Sequence, residues 1–189
     1  MKKFKVLVLV DVQNDFITGA LRNEDAIKAV PNIVKKVKEF DGDLIALTWD
    51  THFNETYMTS KEGQKLPVPH CIKDTEGWDI ESSVMEAVNE NKAEKCFVHK
   101  RTFGAVALAD DIEQVLSVRK DYNYREDELD IEVCGFCTDI CVVSNTLLLK
   151  ANLYENADIK VIKNCCAGVT PETHEAALNT MKMCQIDII

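Results

Sequence analysis

Short apolar runs alternate with segments of helical periodicity along the whole chain. The first run, residues 4–10, is apolar on both faces, as expected of a central strand covered on both sides. Apolar runs that alternate with helical segments indicate βαβ units and therefore a parallel sheet. Six strands are predicted, over residues 4–10, 44–49, 95–98, 129–134, 159–162 and 185–189.

The segments between these strands carry apolar residues at the spacing of one helix face. The last helix is predicted to begin where the hydroxyl of Thr170 can cap a helix whose first residue is Pro171. The segment 141–153 is apolar enough to form a buried helix. Helices are predicted at 23–40, around 80–88, around 108–116, at 141–153 and at 171–183.

Two stretches, 50–73 and 119–128, show neither pattern and are predicted to be loops. No repeat, linker or biased segment divides the 189 residues. A chain of this length can bury a full core as one unit. We therefore predict a single domain over residues 1–189.

Composition and charge narrow the class of protein. The chain is 46% hydrophobic and 29% charged, as is typical of a soluble globular protein. Its net charge of −10 opposes binding to nucleic acid and to anionic membranes. The first apolar run ends at Asp11, which is too early for a signal peptide, and no run is long enough to span a membrane. We expect a cytoplasmic protein whose eight cysteines are free thiols.

Residues capable of chemistry follow four of the predicted strands. Ligands of open α/β sheets bind beside the carboxyl ends of the strands, and here Asp11, Asp50, Lys100 and the segment 135–141 follow strands one to four. A carboxylate at a buried strand end has a raised pKa, which would suit Asp11 to act as a base. The alternatives are an Asx turn for Asp11 and a solvated strand-end charge for Lys100.

Asp50, His52 and His70 form a candidate metal site. Asp50 and His52 are two residues apart, so both side chains point to the same side of an extended segment, and His70 follows 18 residues later. One carboxylate and two imidazoles suit Zn²⁺, Fe²⁺ or Mn²⁺ with positions left for water or substrate. The alternative is that both histidines are structural or face solvent.

Cys141 is the candidate nucleophile. The segment 135–141 joins a strand to an apolar helix, which places Cys141 near a helix start. There the helix dipole and free N–H groups are expected to lower the pKa of a thiol, and a cation at Lys100 would act in the same direction. Two alternatives stay open, namely a buried core cysteine and a redox or zinc pair formed by Cys134 and Cys137.

Five motifs together resemble a known family. The sequence is similar to the isochorismatase-like cysteine hydrolases, and within them to the nicotinamidase/pyrazinamidase branch, from the first strand to the region of Ala167 and His174. The motifs are Asp11-Val-Gln-Asn-Asp-Phe16, Asp50-x-His52, Pro69-His70-Cys71, Lys100-x-Thr102-Phe103-Gly104-Ala105 and Gly135-x-x-Thr138-Asp139-x-Cys141-Val142.

The resemblance implies a Rossmann-like, three-layer α/β/α fold with a six-stranded parallel sheet. It also implies a triad in which Cys141 is the nucleophile, Asp11 the base and Lys100 the cation. The backbone N–H groups of Cys137 and Cys141 would form an oxyanion hole, helped by a cis peptide bond between Phe136 and Cys137.

The resemblance further implies a divalent metal, zinc first and iron or manganese as alternatives, on Asp50, His52 and His70. The metal would hold the ring nitrogen of a pyridine amide, and Phe16 would line the ring pocket. Some family members have a further histidine shortly after the first, which residues 54–58 of this chain lack. Some also have an aromatic residue just before the Pro-His-Cys segment, where this chain has Leu66-Pro-Val.

The expected activity is hydrolysis of nicotinamide to nicotinate and ammonia through a cysteine thioester, in pyridine-nucleotide salvage. The substrate partner is thus a small amide, and a homo-oligomer is expected from the resemblance. A second hypothesis keeps the triad but changes the substrate to another small amide or a ureido compound. A third, a binding or scaffold protein with a relict site, is disfavoured by the intact Asp11, Lys100 and Cys141.

Overall fold

A computed structural model of the chain describes residues 3–119, 128–153 and 156–189. Its centre is a six-stranded sheet in the order β3-β2-β1-β4-β5-β6, in which every neighbouring pair is parallel. This confirms the predicted parallel sheet. The strands are β1 (Lys3–Val10), β2 (Leu44–Asp50), β3 (Glu94–Lys100), β4 (Glu128–Phe136), β5 (Ala157–Ala167) and β6 (Asp187–Ile188).

Helices cover the sheet in two groups. The first and third helices pack against each other, and the fourth, fifth and sixth pack side by side. Residues 6–10 of β1 are fully buried, because this strand lies in the middle of the sheet. The helices are α1 (Glu24–Glu39), α2 (Asn54–Tyr57), α3 (Ser82–Glu90), α4 (Leu108–Ser117), α5 (Val143–Leu153) and α6 (Pro171–Met183).

Three local expectations need correction. The stretch 50–73 is not all loop, since it contains the short helix α2. The helix predicted at 141–153 begins at Val143, because residues 138–142 form a wider π turn in which the Cys137 carbonyl accepts from Ile140 and Val142. The same helix was predicted to be buried because its sequence is apolar, but it is buried on one side only. Most of the predicted loop 119–128 lies outside the described residues.

Strand register brings the carboxyl ends of four strands together. Val10 pairs with Thr48 on one side and with Gly135 on the other, and Asp50 pairs with Lys100. Gly135 has a φ of +126°, and a Cβ there would lie 2.0 Å from the Val10 carbonyl oxygen. Only glycine therefore lets β4 end this close to β1. Among the described residues, no helix is long and apolar enough to cross a membrane.

Candidate active site

Asp11, Lys100 and Cys141 meet beside the ends of β1 and β3, and each is at most 4% exposed. Lys100 Nζ lies 2.7 Å from Asp11 Oδ2 and 3.6 Å from Cys141 Sγ. Thr48 donates a hydrogen bond of 2.6 Å to the other oxygen of Asp11. The Asp11 carboxylate is thus held by buried partners, and Lys100 does not point into solvent.

The backbone at Asp11 is bent to make this arrangement. Asp11 has a φ of +47°, in the left-handed region that residues other than glycine adopt rarely. Its N–H donates to the Thr48 carbonyl and hydroxyl, at 3.3 and 3.2 Å. The chain therefore turns sharply at the end of β1, which directs the carboxylate to Lys100.

Burial controls the charge of this cluster. It raises the pKa of Asp11, against the opposing effect of Lys100, while the surrounding acids raise the pKa of Lys100 despite its burial. Burial and Asp11 also raise the pKa of the Cys141 thiol well above its usual value, although Lys100 acts to lower it. The expected lowering of the thiol pKa was therefore wrong for the free protein. A neutral thiol beside a carboxylate is suited to proton transfer between the two.

A second cluster is formed by Asp50, His52, Glu62 and His70, whose ligand atoms all lie within 4.8 Å of one another. His52 Nε2 is 3.2 Å from Asp50 Oδ2, and His70 Nε2 is 3.7 Å from the same oxygen. His52 Nε2 is buried and forms no hydrogen bond within the described residues. An unpartnered imidazole nitrogen facing two carboxylates and a second imidazole fits a divalent metal ion.

Contacts behind the cluster prepare His70 to be a ligand. His70 Nδ1 lies 2.9 Å from the Val68 carbonyl, which can only accept, so Nδ1 carries the proton. Tyr57 Oη lies 3.2 Å from the same nitrogen and donates to the Leu66 carbonyl at 2.8 Å. With its proton on Nδ1, His70 presents the lone pair of Nε2 to the cluster.

Asp50 links the two clusters. Its Oδ1 lies 3.5 Å from Lys100 Nζ, while its Oδ2 faces the histidines. Gln13 fixes the backbone here, because its side chain donates to the Asp50 carbonyl and accepts from the Asp50 N–H, at 2.9 and 2.8 Å. Burial opposes ionisation of Asp50, but His52, His70 and Lys100 together hold its pKa below the usual value.

A cavity of about 830 Å³ opens onto both clusters. Phe16 is 5% exposed and packs edge-on against His70, with ring centroids 5.6 Å apart. Most of the cavity lining is apolar, and the cavity is large enough for a small planar ligand to contact both the thiol and the metal-type cluster. The residues that line the cavity include Phe16, Asp50, Glu62, Leu66, His70, Cys137, Cys141 and Val169.

The turn between β4 and α5 brings Cys137 and Cys141 to this cavity. The peptide bond between Phe136 and Cys137 is cis, as the resemblance implied. Cys134 is buried in β4, and all eight cysteines are free. Neither Cys134 nor Cys137 belongs to a metal-type group among the described residues, which disfavours a zinc pair.

The structure unites every residue predicted for the site and adds three. Glu62, Gln13 and Tyr57 were missed because no spacing or periodicity marks them. Some family members have a further histidine shortly after the first, and residues 54–58 lack it. This absence was the one sequence signal that another residue of the loop, here Glu62, supplies a ligand-type side chain. His99 lies in β3 next to Lys100, but its side chain is exposed and stacks on Trp78 with ring centroids 5.6 Å apart.

Comparisons with known proteins identify the family of the chain. A model of the isochorismatase domain matches residues 5–189. The nicotinamidase/pyrazinamidase of Mycobacterium tuberculosis is 22% identical, over 98% of this chain and 98% of that protein. The crystal structure of a nicotinamidase from Bacillus subtilis is 27% identical with a TM-score of 0.75, over 100% of this chain and 99% of that one.

A pyrazinamidase of Pyrococcus horikoshii, solved in complex with zinc, has the same fold. It is 21% identical with a TM-score of 0.74, and the match covers 98% of each chain.

Proposed function

The chain belongs to the isochorismatase family, and we propose that it is a cysteine amidohydrolase that converts nicotinamide to nicotinate and ammonia. The observation that carries the proposal is the contact of Lys100 with Asp11 and Cys141 next to a metal-type cluster, with Cys141 and members of that cluster lining one cavity. The two relatives named as nicotinamidases support the same substrate.

In the first half of the reaction, Asp11 takes the proton of the Cys141 thiol as the sulfur attacks the amide carbon. Asp11 then gives this proton to the departing nitrogen, which leaves as ammonia, and a thioester forms on Cys141. In the second half, Asp11 takes one proton from the attacking water and returns it to the Cys141 sulfur as the acid product leaves, and this acid then loses its remaining proton to solvent to become nicotinate. Lys100 holds Asp11 and the sulfur in place through both halves.

The tetrahedral intermediates carry an oxyanion that needs hydrogen-bond donors. We assign this role to the backbone N–H groups of Cys137 and Cys141, which lie near the two ends of the π turn between β4 and α5. Donors fixed in a backbone turn cost little reorganisation when the charge develops, which is why such sites stabilise oxyanions strongly.

Asp50, His52, Glu62 and His70 would hold a divalent ion, for which we propose zinc, with iron or manganese as alternatives. A bound ion would supply a Lewis acid that can hold the ring nitrogen of a pyridine amide. Phe16 would lie beside the ring, since it packs on His70 at the cavity wall. The zinc complex of the Pyrococcus relative supports this choice of metal.

Replacing Glu62 by glutamine should weaken metal binding by at least about 100-fold, because it removes one of the two carboxylate ligands. Glu55→Gln is a matched control, since Glu55 is exposed in α2 and outside the cluster. Metal affinity is measured by titration of the metal-free proteins. Alkylation of Cys141 by iodoacetamide should stay unchanged in both variants. Equal metal affinity in the two variants would show that Glu62 is not a ligand.

Ammonia release from a panel of amides tests the proposed function. Nicotinamide and benzamide differ only at the ring nitrogen, so nicotinamide should have a kcat/KM higher by about 100-fold or more if that nitrogen is held. Pyrazinamide and a carbamoyl compound complete the panel. Ammonia release from the carbamoyl compound alone would favour the ureido alternative, and none from any amide would contradict an amidohydrolase.

We propose that residues 1–189 work as one domain, since the site draws on β1 through β4 and on the turn before α5. We propose a cytoplasmic location, which the eight free cysteines support. We also propose a homo-oligomer, to be tested by the molar mass in solution.

A further inference from the structure

The turn that carries the proposed nucleophile is tied to the start of α6 by two side-chain contacts. Both carboxylate oxygens of Asp139 accept from the Val169 N–H, each at 3.1 Å. One residue earlier, Thr138 Oγ1 lies 2.8 Å from His174 Nδ1. His174 has no role in the proposed reaction, so its contact with this turn needs another explanation.

The contact between Thr138 and His174 is shielded and tightly packed. Thr138 is fully buried, and the side chain of His174 is 14% exposed. At Gly168, a Cβ would lie 2.8 Å from the Cβ of His174, so α6 approaches this closely only beside a glycine. A hydrogen bond in such surroundings exchanges little with water and holds its partners firmly.

Nearby charges indicate which partner donates. Glu175 Oε1 lies 4.0 Å from His174 Nε2, and a carboxylate there favours a proton on Nε2. His174 Nδ1 then carries the lone pair and accepts the hydroxyl proton of Thr138. The hydroxyl proton of Thr138 is thereby held in one of its three staggered positions.

Burial lowers the pKa of His174, which keeps the ring neutral at neutral pH and preserves Nδ1 as an acceptor. Glu175, Asp139 and Asp25 oppose this shift, and Lys163 supports it. The charged groups that face the ring are Glu175 on α6, Asp139 in the turn, Asp25 on α1 and Lys163 on β5.

We propose that His174 is a positioning residue, which orders the turn between Cys137 and Cys141 by fixing the hydroxyl of Thr138. The inference rests on the proposed function, because it concerns how the nucleophile and the oxyanion donors are held. Its physical basis is that donors aimed at a developing charge lose much of their effect when they move by about 1 Å. A defect in this turn should therefore lower kcat while substrate binding elsewhere in the cavity persists.

His174→Ala should lower kcat by about 10- to 100-fold and leave KM within about threefold. His174→Asn should restore most of the activity, because its amide oxygen can take the place of Nδ1 as the acceptor. His99→Ala is the matched control, since His99 is exposed and stacks on Trp78 outside the site. It should keep wild-type kcat and KM.

Thr138→Val removes the hydroxyl at nearly constant volume and should reproduce the loss in kcat. The double variant should then be no worse than either single variant, because both remove the same contact. In the wild type, protonation of His174 at low pH would remove the acceptor and lower kcat. Asparagine does not titrate, so this pH-dependent decrease in kcat should be absent in His174→Asn. Thermal unfolding of each variant shows whether it is folded. If His174→Ala does not fold, Thr138→Val still tests the contact.

Three outcomes would overturn the inference: an unchanged kcat in His174→Ala, an asparagine variant as impaired as the alanine variant, or losses that multiply in the double variant. All rates are measured on an amide that the wild type hydrolyses. A wild type inactive on every amide would contradict the proposed function itself, which keeps the two failures distinguishable.

Discussion

Cys141→Ala should lose at least about 10⁴-fold in kcat for amide hydrolysis while remaining folded. Removal of a nucleophile leaves only the catalysis provided by binding and by the oxyanion donors, and losses of this size or larger are usual for such residues. Cys141 is 4% exposed, so the loss of its sulfur leaves only a small cavity, costing on the order of 1 kcal/mol in unfolding free energy. Ammonia release and thermal unfolding of the same samples measure both effects.

Cys137→Ala is the matched control, because Cys137 lines the same cavity four residues earlier. Burial raises the pKa of its thiol to about 12, and within the described residues this thiol, unlike that of Cys141, has no hydrogen bond from Lys100. Only its backbone N–H has a proposed role, and alanine retains that group. Most of the activity should therefore survive. Activity that persists in Cys141→Ala but disappears in Cys137→Ala would transfer the role of nucleophile to Cys137.

The sheet and the triad could be predicted because their signals are local. Apolar runs mark the strands, and in a parallel sheet the residue after each run lies at one common edge. This is why Asp11 after β1 and Lys100 at the end of β3 meet although 89 positions separate them in the sequence. Cys141 follows β4 by a short turn and reaches the same place. Because β1 lies between β2 and β4 in the sheet, the ends of these strands are close enough for Asp11, Lys100 and Cys141 to come into contact.

The metal-type cluster could be predicted only in part, because its loop is shaped by distant contacts. Glu62 is one of 32 acidic residues, and nothing in the local sequence distinguishes it. Asp15 holds the loop by accepting from the Cys71 N–H at 2.7 Å, and Tyr57 anchors it through the Leu66 carbonyl. These contacts depend on the finished fold. The same is true of the thiol pKa, where burial and Asp11 outweigh Lys100.

Asp11→Asn should lose about 10³- to 10⁴-fold in kcat/KM, the second largest effect we expect. Asparagine has nearly the same shape and can keep the contact with Thr48, but it cannot take the thiol proton. It also leaves the buried charge of Lys100 with less compensation, so some loss of stability should accompany the loss of activity. Asp130→Asn is the matched control, since Asp130 pairs with Lys160 on the sheet and lies outside the cavity.

The pH dependence of the wild type tests the same role from another direction. Asp11 must be ionised to accept a proton, so kcat/KM should fall as pH falls through its pKa. Because burial raises this pKa, the fall should begin above the usual range of aspartate, which centres near about 4. Asp130→Asn should keep this profile. An Asp11→Asn variant with wild-type activity, or a wild type whose kcat/KM stays constant down to about pH 4, would show that another group takes the thiol proton.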